Sequence, residues 1–230
     1  MASAFKRALF ATSVAEIQEA YSRLGHQRGW RFLATPRRTL IANAPVAFVT
    51  LNPGGSLEDP AHGVASCEAG SAYVHERWNA NAPGESPLQQ QVRSMFAWLG
   101  RDPETTLSAY FVPFRSPSLK KLVAPRQSIA FGVQLWCGIL AEVRAPVVVC
   151  LGADVEKWLI LVLGKPRSVT TLLVGWGKVT ARLNRFDSRV LLRLPHLSRF
   201  RIFSRPASKS PLRLVRDQLD RDCAELGVRL

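Results

Sequence analysis

The sequence predicts an α/β fold, a three-layer α/β/α sandwich around a mostly parallel central sheet, and three observations carry that expectation. Strand-like and helix-like segments alternate along the chain. The runs Val46–Leu51, Leu107–Phe114 and Val147–Leu151 are almost wholly apolar, as strands covered on both faces are. These runs leave through turn formers: Asn52-Pro53-Gly54-Gly55, then Arg115-Ser116-Pro117-Ser118, then Gly152.

Taken in order, Ser13 reads as the N-cap of a helix running to about Leu24, with Val14, Ile17, Ala20, Tyr21 and Leu24 as its apolar stripe and Gly25 as its stop. Residues 1–29 are taken as an N-terminal helical segment. Trp30-Arg31-Phe32-Leu33 and a basic turn at Thr35-Pro36-Arg37-Arg38 precede the strand Val46–Leu51. A long polar stretch, Ser56 to Pro87, follows, and long irregular segments inside compact domains often carry function. Leu88–Leu99 has helical spacing at Val92, Met95, Phe96 and Leu99, and Gly100 ends it. Further helices are expected near Ser128–Val143, over Ala153–Leu163 and over Leu212–Leu226, the last within a C-terminal helical segment, 206–230. Val169–Val174 and Arg189–Leu194 complete the strands.

The 230 residues, 47% hydrophobic and without a linker tract, suit a single domain. No apolar window is long enough to span a bilayer, and residues 1–10 lack a sustained apolar segment, so no membrane association and no secretory signal are expected. Four scattered cysteines without C-x-x-C spacing point to reduced thiols in a cytoplasmic protein; no metal site, iron–sulfur cluster or other cofactor is expected. A net charge of +14 makes nucleic acid the favoured partner, and a monomer is expected.

Two strand exits hold the candidate chemistry. In open α/β sheets ligands bind at the carboxyl ends of the strands, where Asn52 would stand, although an ordinary strand-to-loop exit explains this segment equally well. At the end of the last strand stands His196, in Pro195-His196-Leu197-Ser198; a lone histidine in such a place is more often a hydrogen-bonded structural residue than a catalyst. The run from Arg199 to Arg216 that follows has six basic residues and no acidic one. A basic run is usually a solvated face, but beside a strand-end histidine it is a nucleic-acid candidate.

Together, Asn52-Pro53-Gly54 and His196-Leu197-Ser198 resemble the two motifs of the uracil-DNA glycosylase superfamily. Its first motif has the form G-x-N-P-G, G-E-x-P-G or G-Q-D-P-Y-H after the first strand, and its second the form H-P-S or N-P-S after the last. Phe111 to Pro117 and Val147 to Gly152 resemble intervening family segments in the same order, so the likeness spans Trp30 to Arg205. Thr50 stands where the first motif has Gly and Leu197 where the second has Pro.

The resemblance implies a monofunctional DNA glycosylase with the family's fold, acting on a base flipped out of DNA. Asn52 would orient a water beneath the sugar, His196 would stabilise the departing pyrimidine at O2, and Pro53, Gly54 and Gly55 would grip a neighbouring phosphate. Ser198 would contact the DNA backbone and Phe200, with Arg199 and Arg201 beside it, would wedge into the duplex. The departures bear on substrate. Tyr110 falls where uracil-specific members keep a base-reading Asn, and Gly54-Gly55 replace their bulky Tyr-His. A roomier pocket for a modified pyrimidine follows, with Ser66, Glu68, Tyr73, Glu76 and Arg115 in segments suited to reading a substituent. Some relatives excise glucosylated hydroxymethylcytosine from phage DNA in antiviral defence, and this chain could be of that kind. The alternatives are a uracil or mismatch glycosylase in base-excision repair, a catalytically inactive DNA-binding module, and a nucleotide-binding protein; the last lacks both G-x-x-x-x-G-K-[ST] and G-x-G-x-x-G.

Overall fold

A computed structural model describes residues 2–54 and 63–229. Its helices are α1 (Ala2–Arg23), α2 (Ala72–His75), α3 (Pro87–Leu99), α4 (Pro125–Val143), α5 (Ala153–Leu163) and α6 (Lys209–Glu225). Its strands are β1 (Trp30–Arg31), β2 (Val46–Thr50), β3 (Gly63–Val64), β4 (Leu107–Tyr110), β5 (Val147–Leu151), β6 (Ser168–Trp176), β7 (Val179–Arg185) and β8 (Val190–Leu194).

Six strands form the central sheet in the order β4-β2-β5-β8-β7-β6. The four strands β4, β2, β5 and β8 are mutually parallel, and β7 and β6 continue the sheet in antiparallel pairing. Alternation along β2 separates two cores. Ala47 and Val49 pack with α1, α4 and α5, while Val46 and Phe48 pack with α2, α3 and α6. The sheet is therefore covered by helices on both faces, which is why its central strands are apolar throughout. No helix among the described residues is long and apolar enough to cross a membrane.

The chain leaves β2 for β4 on one side and then crosses to β5 on the other. That reversal opens a crevice at the carboxyl ends of β2 and β5, the usual ligand position in such sheets. Because β2, β4, β5 and β8 run the same way, Asn52, the 111–118 segment, Gly152 and His196 all emerge at one edge.

Three expectations are revised. Ser13 does not cap a helix: α1 starts at Ala2 and Ser13 is buried inside it. Regular strand pairing in the Leu107–Phe114 run stops at Tyr110, because the next residues turn to hydrogen-bond elsewhere: Phe111 and Val112 donate to the carbonyls of Thr50 and Leu51. The strand expected over Val169–Val174 is longer and forms a hairpin with β7, which has no apolar run to announce it: Val179-Thr180-Ala181-Arg182-Leu183-Asn184-Arg185 interleaves arginines with buried residues, and Arg182 reaches Glu156.

Candidate active site

Asn52 sits two residues beyond β2, and its side-chain nitrogen donates to the backbone carbonyls of Pro53 (3.0 Å), Ser116 (2.9 Å) and, longer, Phe114 (3.5 Å). These acceptors fix which end of the amide is nitrogen and tie the β2 exit to the β4 exit. Ser116 N donates to Pro53 O at 3.2 Å and Arg115 Nε to Gly54 O at 3.1 Å, so the turn is laced to its neighbour at several points. The Asn52 carbonyl oxygen is left as the atom not committed to these bonds.

His196 sits two residues beyond β8. Its Nδ1 lies 2.8 Å from Ser198 Oγ, and its backbone carbonyl accepts from Arg199 N and Phe200 N, both at 3.0 Å. Gly152, at φ +86°, faces it: a Cβ there would lie 4.0 Å from His196 Cδ2. The ring is open on one side, yet desolvation holds its pKa below the usual histidine value, favouring the neutral imidazole. In the tautomer in which Ser198 Oγ donates to Nδ1, Nε2 carries the proton and is a donor.

Asn52 and His196 line the same cavity, which has a volume of about 810 Å³. Pro53, Gly54, Tyr73, Tyr110 and Arg115 line it as well. Among the described residues, a Cβ on Gly54 would meet nothing within 4 Å.

One wall is a cluster assembled from the long polar stretch and β1. Arg31 makes two hydrogen bonds to the Glu76 carboxylate, one of 2.8 Å to Oε2, and Trp78 Nε1 donates to the same oxygen at 3.0 Å. Cys67 Sγ lies 3.6 Å from Glu76 Oε1. Burial alone would raise the Glu76 pKa, but the bonds from Arg31 and Trp78 outweigh it and hold the carboxyl below the usual range. Burial pushes the Cys67 thiol up to about 11 and raises both Tyr73 and Tyr110, so near neutral pH the wall holds one ion pair among neutral groups.

The folding of this wall follows from local sequence. Ser71 caps α2, and buried Gln89 of α3 donates to the carbonyls of Ala72 (2.9 Å) and Glu76 (2.7 Å). Ser86 and Gln89 form a capping box, so the start of α3 also anchors the Glu76 segment. On the other side, Arg31 N donates to Pro113 O at 2.8 Å, and Trp136 Nε1 of α4 donates to Tyr110 O at 3.1 Å. Tyr73 packs between Phe48 and Trp78, at ring-centre distances of 5.8 and 5.4 Å.

The other expected residues are placed elsewhere. Ser66 and Glu68 do not line the cavity. They bond each other, and Glu68 also accepts from Arg37 N at 3.1 Å. Gly55 lies outside the described residues. Ser198 touches the site through His196. Arg199 and Arg201 are exposed on the following loop, and Phe200 is half-buried against Trp176, with ring centres 5.9 Å apart. Sequence reasoning missed Arg31 and Trp78 as wall residues. The available signal was an arginine set between Trp30 and Phe32-Leu33, which calls for a carboxylate partner if buried.

No family model matches the chain and no curated protein matches it, so the chemistry of the site is read from its own residues.

Proposed function

We propose that this chain is a monofunctional DNA glycosylase that hydrolyses the N-glycosidic bond of a flipped-out, modified pyrimidine. The observation that carries the reading is the convergence of Asn52 and His196, distant in sequence, on one cavity at the switch point of a parallel sheet.

Departure of a pyrimidine leaves positive charge on the sugar and negative charge on the base. A neutral His196 donating from Nε2 to the base O2 stabilises the developing anion without requiring an acidic proton. A positioned donor of this kind contributes about 3–4 kcal/mol. The Asn52 carbonyl oxygen is suited to accept from a water aimed at C1′. The C1′–N1 bond breaks with its electron pair going to the base, water oxygen bonds C1′, and the water proton ends on the released base. An abasic site remains.

The cavity favours a substrate larger than uracil. Its volume lies in the range of sites for drug-sized ligands, and among the described residues nothing stands within 4 Å of a Cβ placed on Gly54. Tyr110 and Tyr73 are neutral phenols, Glu76 is an ionised acceptor, Arg31 a cation and Trp78 an aromatic surface. That set matches a hydroxyl-bearing substituent on the pyrimidine better than a bare uracil edge. A role in defence against DNA carrying modified bases is the biological setting such a substrate suggests.

The test is base release from duplexes each carrying uracil, a thymine mismatch, hydroxymethylcytosine or its glucosylated form. Release from a hydroxymethylated or glucosylated duplex supports the reading. Release of uracil alone overturns the modified-base part, and no release from any duplex overturns the glycosylase reading.

A further inference from the structure

The antiparallel hairpin reaches the same edge as the cavity. Since β6 and β8 both run antiparallel to β7, they are parallel to each other, and the β6–β7 turn lies at the carboxyl edge of the parallel strands. The pairing Arg182↔Arg193 sets Thr180 beyond the last residue of β8, so the turn Trp176-Gly177-Lys178 stands past the end of the sheet's parallel half.

This tip is fixed in place. Gly175, at φ +76°, lies so close to the 206–208 segment that a Cβ would sit 2.7 Å from Ser208 Cα and collide with Ala207 O. Arg205 Nε donates to Gly175 O at 3.0 Å, and its guanidinium lies 4.7 Å from the centre of the Trp176 ring. Trp176 in turn packs edge-on against Phe200, over which the Arg199 guanidinium lies at 5.4 Å. The hairpin tip and the loop after His196 are thus one packed unit of alternating aromatic and cationic side chains.

Its charge is not neutralised. Among the described residues, Lys178, Arg199, Arg201 and Arg205 have no carboxylate partner. Exposed Lys120 and Lys121, just past the cavity-lining segment that follows β4, are likewise unpaired among the described residues. With strands about 4.8 Å apart, the carboxyl edge from β4 to β6 is about 24 Å long, or about seven base-pair steps of duplex DNA.

We propose that the β6–β7 hairpin tip, through Lys178 and the Arg205–Trp176 stack, is a binding element for the phosphate backbone of duplex DNA, forming one flank of a cationic lip whose other flank is Lys120 and Lys121. The cavity lies between the flanks, so a duplex held by both presents its nucleotides to the opening. This rests on the DNA-directed part of the proposed function and not on its chemistry.

The test is the salt dependence of binding of the full chain to a short unmodified fluorescent duplex. Each lost phosphate contact lowers the slope of log affinity against log salt by about 1. Lys178→Ala is expected to lower it by about 1, and the Lys178→Ala/Arg205→Ala pair by about 2 with an affinity loss of at least about tenfold at low salt. Lys178 stands in an exposed turn, so its single substitution reads contact without repacking. Arg167→Ala, at the opposite edge, is the control and leaves the slope unchanged. Unchanged slope and affinity in both hairpin variants, or no binding of duplex by the unaltered chain, overturns the inference. Base release measured on the same preparations separates the two readings. Hairpin-dependent binding without release sustains this inference and removes the glycosylase reading; release with a hairpin-independent slope does the reverse.

Discussion

The two edges of the central sheet are built from the same strands and differ in what their charges and loops do. At the amino edge, strand ends are joined by short turns and arginines meet acids: Arg167 with Asp187 at 2.6 Å, and Arg185 with Glu225 at 2.7 Å. At the carboxyl edge the exits of β2, β4 and β8 lead into longer segments, the backbone carbonyls tie one strand exit to another, and the cations on the outer flanks have no carboxylate partner among the described residues. One edge closes the fold. The other uses polar groups to shape a cavity, and the Arg31–Glu76 ion pair is set into its wall. The lesson is that stability and site can be assigned to opposite ends of one sheet.

The largest effects are expected where that contrast is deepest. His196→Ala and Asn52→Ala are each expected to slow base release by about a hundredfold or more while leaving the thermal midpoint close to that of the unaltered chain, the His196 loss corresponding to removal of one positioned donor. Comparable rates in single-turnover assays would reduce both residues to strand-exit fasteners.

Glu76→Ala strands the Arg31 guanidinium in a largely enclosed wall. It is expected to cost about 2–3 kcal/mol in chemical denaturation, with loss of discrimination between modified and plain pyrimidines. Replacing Glu76 without a change in either quantity would show that the wall is passive.

A second contrast, between two histidines, gives a smaller effect. His26 is enclosed, bonded to Ser128 Oγ at 2.9 Å and stacked on Phe114 at 4.1 Å, and burial lowers its pKa to about 4. The unfolded chain binds this proton below about pH 6.5 and the folded chain only near pH 4, so stability falls as pH drops through that window. The contribution is about 3 kcal/mol, and His26→Gln is expected to flatten that part of the stability profile. His196, open on one side, is expected to contribute less to this profile.

The smallest effect belongs to the amino edge. Arg167 and Asp187 are both solvent-exposed, and Arg167→Ala is expected to leave denaturation midpoint and base release unchanged, as exposed pairs do.

How much of this was legible in sequence follows the same division. The exits of β2, β4, β5 and β8 were readable because doubly covered strands must be apolar and must end at turn formers. Asn52 and His196 were readable as strand-end polar residues, and the pairing of motifs brought them together before any geometry did. Of the wall, Glu76 was readable as a polar group in the long irregular stretch, but its partner Arg31 was not, because Arg31 lies in a two-residue strand with no periodicity to read. Tyr73 was readable only as a polar group in the right stretch, whereas its fully packed ring acts as much through Phe48 and Trp78. The hairpin escaped because β7 buries Asn184 and sets Arg182 beside a buried Glu156, so its pattern mixes charge with core.

The measurement that bears most directly on the central claim pairs two products from one reaction. A duplex carrying a single glucosylated hydroxymethylcytosine is incubated with the full chain, free base is quantified by mass spectrometry, and abasic sites are counted by alkaline strand scission. Both products are expected in equal amounts, with no scission before alkali and with both formed at least about a hundredfold more slowly by Asn52→Ala or His196→Ala. Scission without free base, or release that neither substitution slows, would contradict that claim.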